Sequence, residues 1–293
     1  MSAAVTPPSA RGTAARPAAR ARVRRHPTVD GSAYGLAVVI VVLVVVGPWI
    51  APQDPYAVDF GQTLLPPGPG HWLGTDGEGR DLLSRILVGG RSTLLSTFTV
   101  IVVAAVVGTI VGTLAAIGPR WADEVLMRVA DVGLSVPALV LALGFAAALG
   151  ASLRSAVIAL CITWWPGYAR LVRALVRETA TREFIGSARV LGVSRTRLVL
   201  RHLLPNSLSP LYVQTTLDVA AITLVISGLS FIGVGAQPPA AEWGAMVSGG
   251  RDYILSGWWA AVMPGAAIAI TAITFNLVGD ALRVRNDPTL REH

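Results

Sequence analysis

The chain has 293 residues, 53% of them apolar and 14% charged, with 24 Lys+Arg against 17 Asp+Glu and a formal net charge of +7. Several apolar runs reach the roughly 18 to 20 residues that cross a hydrocarbon core of about 30 Å, which excludes an ordinary soluble domain, and the runs are continuous, not alternating, which excludes a β-barrel. A basic excess that would suggest nucleic acid in a soluble protein here marks loops on one side of a membrane, so no nucleic-acid partner is expected and the fold class is all-α and polytopic.

Residues 1–32, rich in Ala, Pro and Arg as far as Pro27, read as a disordered basic tail with nothing to build a core. The first apolar run, at 33–50, could be a signal peptide, but its length and the lack of a small-x-small site before Pro52 favour a retained anchor. Residues 51–90 read as a folded extracytoplasmic loop, with Pro52, Pro55, Pro66, Pro67 and Pro69 fixing turns. Thr75 or Asp76 is placed to cap a short helix beginning near Asp81. His71, Asp76, Glu78 and Asp81 could be read as metal ligands, yet one histidine among flexible carboxylates is a poor donor set. No metal or other cofactor is expected.

Within 91–281, further spans are expected at 94–117, 129–151, 155–172, 211–235 and 258–281, which with the first makes six. Residues 282–293 read as a second tail. Gly108 and Gly112 form a Gly-x-x-x-Gly pair suited to close helix packing, within the chain or between two chains. Trp164-Trp165-Pro166-Gly167 is expected to interrupt the fourth span, lining a pathway or kinking a packed helix. Cys161, the single cysteine, reads as a packing residue. Trp49, Trp121, Trp258 and Trp259 fall near span ends, where aromatic belts lie. With an inside N-terminus, nineteen of the 24 arginines fall in alternate loops on one side, which puts both termini in the cytoplasm.

The charged interruption from Arg170 to Asn206 holds eight arginines between apolar spans. Phe184, Ala188 and Leu191 recur at i, i+4 and i+7 and predict one apolar stripe on a charged helix. Gly192 suits the left-handed residue that ends it, Ser194 can cap a second short helix, and Pro205 is expected to stop that helix before the next span. Three readings are open from pattern alone: a helix lying on anionic lipid, a solvated connector, or a lever for a soluble partner.

Gly186-Ser187-Ala188, then Gly192, then His202-x-Leu204-Pro205 resembles the cytoplasmic coupling motif of bacterial ABC importer permeases, with matching spacing throughout. Gly186 stands where the general motif has Glu, and His202 where it has Ile. The run from His71 to Asp76 with Gly79-Arg80-Asp81, the run from Leu229 to Gly235 with Glu242-Trp243-Gly244, and the run from Phe275 to Asp280 resemble signatures of the dipeptide, oligopeptide and nickel branch, second permease subunit type. The resemblance implies a homologous permease, two cytoplasmic ATP-binding subunits, an extracytoplasmic substrate-binding protein and the bacterial plasma membrane with its lipid. It implies an ATPase-facing helix carrying Arg182, Glu183, Phe184, Gly186, Ala188, Leu191 and Gly192, with Pro205 beyond, and cargo that is a peptide or, alternatively, nickel or a metal chelate.

Many relatives in that branch have Glu where Ile226 stands. The chain contains no lysine, so it cannot supply a Walker loop, and ATP hydrolysis must come from other chains; the subunit itself reads as no enzyme. A secondary carrier would need titratable groups in its spans, for which Asp131, Asp218 and Asp280 are the candidates. Trp164, Trp165 and Asp218 are the residues expected near a translocation pathway.

Overall fold

The computed structural model describes residues 27–286, and the tails expected over 1–26 and 287–293 lie outside them. Helix α1, Pro27–Ile50, starts inside the segment expected to be tail. Proline is suited to that first turn because its missing N–H has no helical partner there.

The segment that follows is folded around its own polar groups. Asp59 caps a 3-10 turn at Phe60–Gln62, and the Thr75 hydroxyl receives the Leu65 N–H at 2.8 Å. Gly79, at φ +75°, presses on the backbone of Asp59 where no side chain would fit. The four side chains considered as metal ligands are drawn apart. His71 lies 3.0 Å from Asp81 and 2.6 Å from Gln62, while Asp76 and Glu78 both reach Arg80, at 2.7 and 2.6 Å.

Helix α2 then runs unbroken over Leu82–Ile117, so the expected loop ends nine residues early and no separate short helix exists. The cap is neither Thr75 nor Asp76 but Asp81, whose carboxylate accepts from the Ser84 N–H and hydroxyl at 2.8 and 2.7 Å. At 36 residues α2 is about 54 Å long and projects beyond the bilayer.

The third span is broken. Helices α3, Arg120–Ser135, and α4, Ala138–Leu149, meet at 83° because Pro137 lacks a helical donor and keeps Val136 extended. By contrast α5, Leu153–Ala180, continues as one helix through Pro166, whose ring packs where Gly133 of α3 leaves room. The expected interruption at Trp164-Trp165-Pro166-Gly167 is therefore absent, and α5 carries Arg170, Arg173 and Arg177 of the supposed loop on its last turns. Those arginines hold α3: Arg170 pairs with Asp131, and Asp123 accepts from Arg173 and Arg177 at 2.7 and 2.6 Å.

The pairing of α2 with α5 is the most extensive in the fold. A Cβ on Gly108 would strike Tyr168 and the Ala169 nitrogen, and one on Gly112 would strike the Ala169 carbonyl and Val172. The Gly-x-x-x-Gly face is used up within the chain and is not free to join two permeases.

Short helices α6, Glu183–Val190, α7, Arg195–Leu198, and α8, Leu204–Ser207, precede the long α9, Ser209–Phe231. Gly233 at φ +83° ends α9, with the Val234 N–H returned to the Leu229 carbonyl at 2.9 Å, so the Leu229–Gly235 motif is a helix stop. Helix α10, Trp243–Gly250, is capped by fully buried Glu242, which also accepts from Thr93 at 3.0 Å. Helix α11, Trp259–Asn286, closes the bundle and runs five residues past the expected span. Trp259 is not a belt residue: it is buried, and its indole donates to the Thr75 carbonyl at 3.1 Å, tying the outer loop to α11. Among the described residues five helices are long and apolar enough to cross a membrane, or six with the bent pair as one span.

Candidate functional site

At the C-terminal end of α5 the chain turns at Thr181 and Arg182 into α6, an eight-residue helix. Glu183 lies in its first turn, where the helix dipole favours an acid. Its end is a Schellman turn: Gly192 adopts φ +76° and the Val193 N–H donates back to the Ala188 carbonyl at 3.2 Å. No atom lies within 4 Å of a Cβ built on Gly186 or Gly192, so both face open space.

The expected stripe of Phe184, Ala188 and Leu191 is unevenly covered. Ala188 is half-buried and packs toward the bundle, whereas Phe184 is 42% and Leu191 82% exposed. The inward anchor is Ile185, fully enclosed with Val172, Val176, Leu198, Val199 and Leu203. Ile185 was missed although its i, i+3 spacing to Ala188 marks a second face. Leu191 directly follows the last helical residue, its N–H still donating to the Ser187 carbonyl at 3.1 Å, and it is exposed together with Val190, which is 88% exposed. Phe184, Val190 and Leu191 thus form an exposed apolar rim.

Arg195 was also missed, and no sequence signal could have found it, because its partner is a backbone atom. Its guanidinium donates to the carbonyl of Ile117, the last residue of α2. Ser194 precedes α7 without a side-chain capping bond. Pro205 does not end the helix as expected. A π turn over Val199–Leu203 returns the Leu204 N–H to the Val199 carbonyl, and the Asn206 amide donates to the His202 carbonyl at 2.6 Å. That wider turn absorbs the donor that proline lacks, and Pro205 sits in the first turn of α8.

Beside this element an open cavity of about 680 Å³ lies between α5, α9 and α11, with Glu178, Arg182, Asn206, Gln214 and Arg283 on its wall. Gln214 links it to the span interior by donating to Asp218 at 3.0 Å. Asp218 is buried and faces Trp164 and Tyr168 of α5. Trp164 and Asp218 therefore come together, while Trp165 turns its backbone to Gly108 of α2 and packs in the inner cluster. Asp131 is spent on Arg170. Ile226 is fully enclosed beside Ile222, Leu229 and Leu160, in a core with no room for a hydrated acid.

Residues 108–292 match the family described as binding-protein-dependent transport system inner membrane component, and residues 19–67 match the N-terminal TM domain of oligopeptide transport permease C. The chain is 44% identical over 253 residues to the probable D,D-dipeptide transport system permease protein DdpC of Escherichia coli (strain K12), covering 86% of this chain and 85% of that one. It is 39% identical over 259 residues to the di/tripeptide transport system permease protein DppC of Pseudomonas aeruginosa (strain UCBPP-PA14), covering 86% and 85%. Its fold is similar to that in the inward-facing MetNI methionine ABC transporter, with a TM-score of 0.54 at 21% identity over 69% of this chain and 96% of the other.

Proposed function

Because the chain belongs to the family of binding-protein-dependent transport system inner membrane components, and is thus a multi-pass permease of a bacterial ABC transporter and not itself a catalyst, we propose that its cargo is a short peptide. The printed functions of the relatives at 44% and 39% identity, D,D-dipeptide and di/tripeptide transport, support that cargo class. A binding protein delivers the peptide to the long-loop side, and a homologous permease completes the pathway. Two separate ATPases drive it from the cytoplasm, where both termini lie on the arginine-rich side.

The observation that carries the coupling assignment is the division of α6 into an anchored and a free face. Ile185 fixes the helix to the bundle, while Phe184, Val190 and Leu191 stand exposed beyond it. An apolar rim of this kind fits a groove on an ATPase, and Arg182 and its neighbours orient the contact by charge. Closure of the ATPases pushes on α6, and Ile185 and Arg195 pass that displacement to α5 and α2. The spans then alternate between outward and inward openings, with Asp218, Trp164 and the 680 Å³ cavity on the inner route.

The test uses the assembled transporter in proteoliposomes. Phe184→Asp, or Gly192→Val at its positive φ, should leave membrane insertion intact while ATP hydrolysis continues without peptide uptake. Undiminished uptake in both variants would overturn the coupling role. Uptake of nickel in place of labelled dipeptide would overturn the cargo, and uptake without any ATPase would make the chain an ion-coupled carrier.

A further inference from the structure

Helix α1 is the span least covered by protein: only 17% of its most apolar window is buried, against 39% to 56% in the other four unbroken spans. Its outward faces, with Val38, Val41, Val42 and Val45, are exposed. Where α1 crosses α2 and α11 there is a groove of about 160 Å³, lined by Ile40, Val44, Leu87, Ala267 and Ile270 among others. It is almost wholly apolar.

At the end of that groove nearer the long loop stands a charge. Arg91 follows Leu87 by one turn of α2, is exposed, and has no carboxylate partner among the described residues. Its side chain turns back along the helix so that its guanidinium lies 6.0 Å from the centre of the Trp49 ring. Trp49, 73% exposed near the end of α1, marks the bilayer interface on that side. An arginine on a lipid-facing helix without an acid is expensive unless it reaches headgroup level, which this geometry achieves. Gly90 lies against Val44, and Gly47 against Leu87, so the groove continues inward from the guanidinium along residues 44 to 40 of α1.

We propose that Arg91, Trp49 and the α1/α2/α11 groove form a binding site for an anionic phospholipid in the leaflet on the long-loop side. The guanidinium holds the phosphodiester through paired hydrogen bonds, Trp49 covers the glycerol region, and one acyl chain fills the groove. A zwitterionic lipid brings its own cation to the phosphate and leaves the arginine charge uncompensated, so the site selects a net negative headgroup. The lipid fastens α1 to the bundle at its most thinly packed seam.

Native mass spectrometry of the assembled transporter, titrated with phosphatidylglycerol and phosphatidylcholine, tests this. Wild type should retain phosphatidylglycerol about fivefold over phosphatidylcholine at this site, as one basic residue at a lipid surface implies. Arg91→Gln should bring the ratio to about one. Ala267→Phe fills the groove with Arg91 still present and should lower retained phosphatidylglycerol by a similar factor. As an independent readout, phosphatidylglycerol with brominated tails should quench the emission component that disappears in Trp49→Phe. A wild-type ratio in Arg91→Gln, wild-type retention in Ala267→Phe, or an unquenched Trp49 component overturns the site.

Discussion

Arg195 at the start of α7 donates to the carbonyl oxygen of Ile117 at the end of α2, joining two segments 78 residues apart in the chain. The bond satisfies one of the four carbonyls that every helix leaves without a partner at its C-terminus, and it places a positive charge where the helix dipole is negative. It makes the element next to α6 move with a 36-residue helix that traverses the membrane. Arg195→Ala should therefore reduce peptide uptake per ATP hydrolysed by roughly two- to tenfold, the scale of one charge-assisted hydrogen bond at an exposed site. Arg195→Lys, with the charge but not the fork, should fall between. Uptake and hydrolysis measured on the same proteoliposomes decide it, and an unchanged ratio in Arg195→Ala removes the link.

Adjacent positions on α6 should behave oppositely. Ile185 is fully enclosed and Phe184 is not. Ile185→Ala should destabilise the purified permease by about 2 to 4 kcal/mol through the cavity it leaves, seen as a lower thermal midpoint. Phe184→Ala should leave the midpoint nearly unchanged and impair only coupling. Equal midpoints for the two variants would contradict the two-faced helix.

Gly108 is held by its neighbours, and Gly144 is not. A methyl on Gly108 meets α5 backbone at 2.9 and 3.0 Å, at the Ala169 nitrogen and the Trp165 carbonyl, whereas nothing lies within 4 Å at Gly144. Gly108→Ala should cost about 1 to 3 kcal/mol from overpacking, and Gly144→Ala should be neutral or stabilising in the isolated permease. Chemical unfolding in mixed micelles distinguishes them, and a neutral Gly108→Ala would mean that the α2/α5 contact is looser than described.

An acid placed at Ile226 should not be tolerated. The site is closed and apolar, so Ile226→Glu must desolvate a carboxyl without a partner, at a cost of several kcal/mol. Low folded yield, with Ile226→Leu near wild type, is the expected pattern. Wild-type yield and thermal midpoint for the glutamate variant would show that the core opens there.

The membrane class and the order of the apolar spans were legible from residue runs alone, because bilayer thickness imposes span length, and breakers such as Gly192 act locally. What fails from sequence is whatever depends on a partner far along the chain. Pro166 stays within α5 with its ring against Gly133 of α3, whereas Pro137 lies at the 83° break between α3 and α4, and neither outcome is written in the local sequence. Trp259 looks like a belt residue until the Thr75 carbonyl claims its indole. The stripe of Phe184, Ala188 and Leu191 names the apolar side chains of α6, but the enclosure of Ile185 by Val172, Val176 and Leu203 makes Ile185 the anchor and leaves Phe184 and Leu191 exposed. Hydrophobic periodicity tells which side chains avoid water; only the packed bundle decides whether each meets protein, lipid or an absent partner.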